Sequence, residues 1–276
     1  MSDTPTYIPE GFHSVTPYLV VMGTARLMDF LKQAFDAHET FRMARPDATI
    51  GHASMRIGDS MIEMADPGDK DGAMAAALHL YVPNADELYS RAREAGAKSL
   101  HELRDMDYGD HEGSIQDPFG NHWYIATHKL SGHYASKGFR NVTPSLSARG
   151  TAELLRFLEK AFGANVVDRD EAPNGTIAHA TVQLGDSMLE CSEVHGQWGP
   201  RKATLHVYVP DVDSVYSRAL AAGATSLQEP KDQFYGERNS GVMDAWGNHW
   251  YIAMHREALS EAEVRRRAAE QGRAAG

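Results

Sequence analysis

The sequence predicts an α+β fold written twice, and three observations carry that prediction. The first is a repeat at an offset of 127 residues. "VTPYL" at 15–19 returns as "VTPSL" at 142–146, "GDSMIE" at 58–63 as "GDSMLE" at 185–190, and "LHLYVP" at 78–83 as "LHVYVP" at 205–210. "DPFGNHWYIATH" at 117–128 returns as "DAWGNHWYIAMH" at 244–255, so 15–128 and 142–255 align without a gap. A period this long marks whole domains in tandem, because solenoid repeats run at roughly 20–50 residues. The second observation is that helix-period and strand-period stretches alternate along each copy. The third is that their order, one strand, one helix and three strands, occurs twice per copy. Domains are expected at 14–129 and 141–256, joined by the polar linker "KLSGHYASKGFRN" and followed by a charged, helix-prone tail at 257–276.

In the first copy, "VTPYLVVM" reads as a strand. "TARLMDFLKQAF" then sets Leu27, Phe30, Leu31, Ala34 and Phe35 on one helical face, with Thr24 as the expected N-cap. The second copy repeats the stripe as Leu154, Phe157, Leu158, Ala161 and Phe162. Strands follow near 39–45, at "HASMRI" and at "SMIEMA", the last two turning at Gly58-Asp59. The next module starts with the strand "ALHLYV". Asn84, with Glu87 three residues on, opens a helix that Gly96 closes, and strands near 98–104, 112–116 and 122–127 complete the copy.

Composition excludes several classes of function. The net charge is −11 with no Lys/Arg-rich run, so no nucleic-acid partner is expected. No apolar run approaches the roughly 20 residues of a membrane span, and the N-terminus lacks the pattern of a secretory signal. The single cysteine, Cys191, forbids an internal disulfide and fits a reducing, cytoplasmic setting. The first copy has Met64 at that position, and nothing near Cys191 in sequence activates a thiol.

The module order, together with "VTPYL", "GDSMIEMAD", "LHLYVP" and "DPFGNHWYIATH", resembles the vicinal oxygen chelate (VOC) superfamily of glyoxalase I, bleomycin-resistance proteins and extradiol dioxygenases, in particular its PhnB-like branch. The resemblance implies two glyoxalase-like domains, each of two βαβββ modules forming a half-open β-cup with a metal or ligand on its concave face. It also implies metal positions at Thr16, Glu63, Ala77 and Tyr124, and at Thr143, Glu190, Thr204 and Tyr251. Only the glutamates are of the family's type, so the usual ligand set is incomplete.

Strand alternation places Glu63, His79, Tyr81, His122 and Tyr124 on one face, and Glu190, His206, Tyr208, His249 and Tyr251 on its counterpart. One carboxylate and two imidazoles per set (Glu63, His79 and His122; Glu190, His206 and His249) suit a divalent Zn, Fe or Mn ion. In the alternative, the imidazoles are hydrogen-bonded and only shape a pocket. His128 lies about 20 Å along the strand from His122 and cannot share an ion with it. His52 and His179 could reach the cup, but read first as solvent-facing or backbone-bonded. Glu63 and Glu190 are the catalytic candidates, because a carboxylate in a partly apolar cup has a raised pKa. An ion pair with Arg42 or Arg56 is the alternative. Tyr108 and Tyr235 sit on loops suited to closing over a ligand, with His111 following in one copy and Arg238 in the other; in the alternative these are exposed loops of variable charge.

The resulting expectation is an enzyme acting on a small oxygen-rich molecule by isomerase, lyase or oxygenase chemistry. The alternative is a non-catalytic protein that sequesters a drug or toxin. A small-molecule ligand is expected, with no organic cofactor and no membrane partner, on a monomeric pseudo-dimer or a homodimer. Each copy can close its own cup, or the modules can pair across copies. Across-copy pairing would bring Glu63 to His206 and His249.

Overall fold

The computed structural model describes residues 7–68, 72–194 and 199–274. The first copy comprises β1 (Val15–Val20), α1 (Thr24–Phe35), β2 (His38–Ala44), β3 (Ile50–Ile57), β4 (Ser60–Ala65), β5 (Ala77–Tyr81), α2 (Ala85–Glu94), β6 (Lys98–Asp105), β7 (Asp110–Gln116) and β8 (His122–His128). The second comprises β9 (Val142–Ala148), α3 (Thr151–Phe162), β10 (Asn165–Glu171), β11 (Ile177–Leu184), β12 (Ser187–Glu193), β13 (Thr204–Tyr208), α4 (Val212–Ala221), β14 (Thr225–Asp232), β15 (Glu237–Met243) and β16 (His249–His255). The tail forms α5 (Glu261–Ala274), and its last two residues lie outside the described ones.

These strands form two open eight-stranded sheets, and each sheet is shared by both copies. One runs β14-β15-β16-β13-β1-β4-β3-β2 and the other β10-β11-β12-β9-β5-β8-β7-β6. The modules therefore pair across copies, through antiparallel β1/β13, with Thr16 opposite His206, and β5/β9, with His79 opposite Thr143. The repeated "GDS" turn fastens each junction. Ser60 Oγ accepts from Val142 N, and Asn141 Oδ1 accepts from Asp59 N while its Nδ2 donates to Tyr81 O. At the other junction Ser187 Oγ accepts from Val15 N, and Asp186 accepts from Ser14 N. Gly58 and Gly185 have positive φ, and a Cβ on either would collide with the Asn141 or Ser14 side chain.

The hydrophobic cores follow the opposite rule and are built within a copy, apart from Val15, which joins the second copy's core, and Val142, which joins the first's. One unites Leu27, Leu31 and Phe35 of α1 with Leu19, Met55, Leu78, Trp123 and Ile125, and the other repeats the arrangement with Leu154, Leu158, Phe162, Leu205, Trp250 and Ile252. Alternation explains the split between faces. Leu78 and Leu80 point into the core from β5, while His79 and Tyr81 point into the concave face.

Two local readings are corrected by the structure. Thr24 does not cap α1. Gly23 takes the cap position in the left-handed region, and Asp66, from the end of β4, accepts from the Gly23 and Thr24 backbone N–H groups. Glu193 does the same for Gly150 and Thr151. The linker is also more than a connector. Tyr134, Ala135 and Phe139 pack on Tyr81 and Ala126, just as Tyr7, Ile8 and Phe12 pack on Tyr208 and Ala253. The repeat thus reaches back to residue 7. Asn84 does cap α2, accepting from Glu87 N, as expected.

The doubled "DxxGNxW" stretch is a folding device. Buried Asp117 accepts from Phe119 N, Asn121 N, Asn121 Nδ2 and Trp123 Nε1 at 2.8–3.0 Å, and Asn121 Oδ1 accepts from Ala76 N. Asp244 makes the same four bonds in the second copy. Replacing Asp117 by Ala orphans several buried donors at roughly 1–3 kcal/mol each. The Asp117→Ala variant should lose about 3 kcal/mol or more of unfolding free energy in a urea titration, and an unchanged midpoint would contradict this role.

Candidate functional site

Pairing across copies decides which side chains meet. In the first cup, β4 brings Glu63, β13 brings His206 and Tyr208, β15 brings Glu237, and β16 brings His249 and Tyr251. Glu63 Oε2 lies 2.8 Å from His206 Nδ1, and the far ring nitrogen, Nε2, lies 3.5 Å from Glu237 Oε2. In the second cup, Glu190 Oε1 lies 2.9 Å from His79 Nδ1, and His79 Nε2 lies 3.4 Å from Glu112 Oε2. Each cup therefore holds a carboxylate–imidazole–carboxylate line at its base. Tyr208 stacks on His206 and Tyr81 stacks on His79, at ring-centroid distances of 4.6 and 4.3 Å. Among the described residues, His206 Nε2, His79 Nε2 and Glu237 Oε2 are buried with no hydrogen-bond partner. Buried polar atoms are normally satisfied, so three unpaired ones at the bases of two cups call for an explanation.

The electrostatics reverse one expectation from sequence. Burial pushes the Glu63 and Glu190 carboxyls up, but the adjacent imidazoles outweigh it and leave both below the usual range. These glutamates are held ionised by histidine, and neither Arg42 nor Arg56 pairs with them. Burial alone would lower His206 and His79. Glu63 and Glu237 raise the first to about 9, and Glu190, Glu112 and Asp110 raise the second to about 9. Glu237 and Glu112 move the other way from Glu63, since burial raises them above the ordinary carboxylate range. The carboxyls that burial makes easier to protonate are these two, which sequence reading passed over. Each sits two strand positions from an unremarkable neighbour, with Asn239 where Glu112 stands and Asp110 where Glu237 stands.

Several other sequence expectations are changed by the fold. The sets Glu63, His79 and His122, and Glu190, His206 and His249, are divided between cups. His122 Nε2 lies 2.6 Å from an Arg201 guanidinium nitrogen, a geometry that leaves no lone pair for an ion. Burial and Arg201 lower its pKa to about 4. His52 is neither solvent-facing nor backbone-bonded. It lines the first cup, 3.2 Å from Tyr18 Oη and 3.6 Å from Glu63. Tyr235 lines the same cup, and Tyr108 is 56 % exposed beside the second. Tyr124 lies edge-on to His79, and Cys191 is buried with its thiol pushed up by burial. The first cup encloses about 730 Å³ and is closed over by Leu259 and Val264 of the tail.

The usual metal positions of the fold do not fit an ion. In the first cup Glu63 is accompanied by Thr16, Thr204 and Tyr251, and in the second Glu190 by Thr143, Ala77 and Tyr124. A shifted set meets the distance requirement in the second cup, where His79, Asp110 and Glu112 offer atoms within 4.8 Å of one another. The carboxylate on His79 Nδ1 is the support that metal-bound imidazoles ordinarily have. Asp110 is already engaged, accepting from Tyr81 Oη and bonded to His128.

The raised histidines give a pH dependence of stability with a definite sign. A group whose pKa rises on folding contributes fully below its unfolded value, near 6.5, and the contribution is lost as pH climbs through about 9. Unfolding free energy should fall across that window, by on the order of 3 kcal/mol per imidazole. The His79→Gln/His206→Gln double variant should lack this part of the slope, and a flat wild-type profile would contradict the pairing.

Comparison with known proteins agrees with this architecture. The family model described as Glyoxalase/Bleomycin resistance protein/Dioxygenase superfamily matches residues 11–125 and 141–252. An uncharacterized protein of Mycobacterium bovis is 36% identical over 123 residues, 41% of this chain and 81% of that protein. A protein of Mycobacterium tuberculosis, likewise uncharacterized, is 36% identical over 123 residues, covering 72% of its own length. Among solved structures, glyoxalase I from Zea mays is similar with a TM-score of 0.67 at 14% identity, covering 87% of this chain and 92% of that one. A putative dioxygenase from Bacillus subtilis gives 0.58 at 12% identity, covering 86% and 83%. With both repeats matched by the family model and the two-sheet cup architecture in place, the chain belongs to the glyoxalase/bleomycin resistance/dioxygenase, or vicinal oxygen chelate, superfamily.

Proposed function

We propose that each cup binds a small oxygen-bearing molecule and moves a proton on it. The observation that carries this reading is the buried Nε2 of His206 and of His79, neither in a hydrogen bond and each facing a carboxylate whose pKa is raised. The protonated imidazole presents its N–H to a carbonyl oxygen of the ligand. Glu237 or Glu112 takes a proton from the carbon next to that carbonyl, and the electron pair moves onto the oxygen held by the imidazole. Returning the proton to another carbon gives isomerisation, and expelling a leaving group gives lyase chemistry. Glu63 and Glu190 keep the rings charged and oriented, so they act as positioning residues. Tyr208, Tyr81, Tyr251 and Tyr124 supply the walls. His249 lines the first cup, with Tyr235 over its mouth and Tyr108 over that of the second.

Members of this superfamily commonly use a divalent metal. In this chain His79, Glu112 and Asp110 would hold one in the second cup, where in place of the His79 Nε2 proton it would supply Lewis-acid polarisation of the ligand oxygen. Elemental analysis of protein purified without chelator, beside its Glu112→Gln variant, should show metal in the first and not in the second. Equal content in both would rule out these ligands. We further propose that the repeats at 14–129 and 141–256 are the duplicated units of a monomeric pseudo-dimer, since one chain supplies both halves of both cups.

A second reading, sequestration of a drug-like molecule without turnover, is favoured by the 730 Å³ tail-covered cavity of the first cup. Proton NMR in D₂O on a panel of small 2-oxo and 2-hydroxy carbonyl compounds separates the two. The wild type should wash deuterium into one or more of them, and a Glu237→Gln/Glu112→Gln double variant should do so about a hundredfold more slowly. Ligand-induced thermal stabilisation with no exchange in either protein would leave sequestration as the function.

A further inference from the structure

The two cups share their base but differ at one charged position. Arg201, just before β13, lies 127 residues after Met74, just before β5, and both are placed by the same bridge. Met74 N donates to Val20 O, and Arg201 N donates to Ser147 O. In the first cup this position is apolar, and Met74 Sδ receives the Thr204 hydroxyl at 3.6 Å. In the second it carries a half-buried guanidinium that reaches His122 on the cup-facing side of β8. No carboxylate among the described residues pairs with it, and burial lowers its pKa from the ordinary guanidinium value. Among the described residues, the guanidinium lining the first cup is that of Arg45, and it is instead tied to Thr49 and to the Asp66 carbonyl.

A guanidinium withdrawn from water without a counter-ion is costly, and proteins normally pair it. His122 orients the fork through one nitrogen and leaves its other N–H donors available in the planar geometry that matches an oxyanion. We infer that the second cup, and not the first, binds ligands bearing an oxyanion, a carboxylate or a phosphoryl group, seated on Arg201 with His79 Nε2 reaching a neutral oxygen of the same molecule. Tyr124, on the same strand as His122 and edge-on to His79, links these two points. At the base of the cup Glu190 is balanced by His79 and Asp110 is engaged by Tyr81 and His128, which leaves Glu112 as the acidic group the neutral end of the ligand faces. The inference rests on the proposal that the cups are ligand sites, and it assigns the second a substrate class.

The test is titration calorimetry on the full-length chain with three probes: pyruvate, inorganic phosphate and methyl pyruvate. The wild type should bind pyruvate, phosphate or both at one equivalent, and which of them binds names the source of the oxyanion. The uncharged ester should bind at least about tenfold more weakly. Arg201→Met should lose about tenfold or more in affinity for the anion. Arg201→Lys, which keeps the charge without the fork, should fall between. Met74→Arg should add a second equivalent. Thermal melting of each variant confirms that it is folded. Absence of anion binding in the wild type, unchanged affinity in Arg201→Met, or equal binding of the ester would each overturn the assignment. None of these results bears on the Glu237 relay of the first cup, so the two readings fail separately.

Discussion

The structure depends on two antiparallel strand pairings, β1 with β13 and β5 with β9. Each joins a module of one copy to a module of the other and makes one continuous eight-stranded sheet from two half-sheets. The ladders are short, and buried side chains reinforce them. Ser60, Asn141, Ser187 and Asp186 satisfy backbone N–H groups of the opposing copy at each end. Convex faces and helices are organised within a copy and concave faces between copies. A change to one copy's core is therefore felt in both cups, since each cup borrows half its wall from that copy.

The same topology creates the charge arrangement at the base of each cup. Glu63 and His206 are 143 positions apart in sequence, yet both are nearly inaccessible, at 3 % and 7 % exposure. Burying two opposite charges is favourable only when they meet in good geometry, and the sheet register provides that geometry. The outcome is an imidazolium poised between a carboxylate that fixes it, held below the usual range by the ring, and a second carboxylate whose pKa burial raises. Two neighbouring carboxyl groups with opposite pKa shifts are the arrangement expected where one side chain orients and another exchanges a proton.

Duplication then allowed the two sites to diverge without disturbing the shared frame. The second carboxylate is Glu237 in one cup and Glu112 in the other, displaced by two positions along equivalent strands. Met74 faces Thr204 where Arg201 faces His122, and only the first cup has a tail helix drawn across it. Every one of these differences lies on a concave face or in a loop. The buried turn carboxylates Asp117 and Asp244, the helix-capping acids Asp66 and Glu193, and the tryptophans Trp123 and Trp250 serve equivalent roles in both copies.

Much of this was legible in the sequence. The 127-residue offset exposed the duplication, and hydrophobic periodicity placed every strand and helix in order. Two-residue alternation put His79 and Tyr124 on one strand face together with Glu63. The resemblance named the superfamily and showed that Thr16, Thr204 and Tyr251 depart from its metal set. These are local properties, set by backbone geometry and by neighbours a few residues away. Only the tertiary structure decided that Glu63 meets His206 and not His79, that His52 turns into the cup, that Asp66 caps a helix 42 residues away, and that Arg201 lies against His122. The physical reason is the same in each case. Alternation along a strand fixes the face on which a side chain emerges, but its partner and its pKa are fixed by which strand lies alongside, and that choice belongs to the pairing of modules across the two copies.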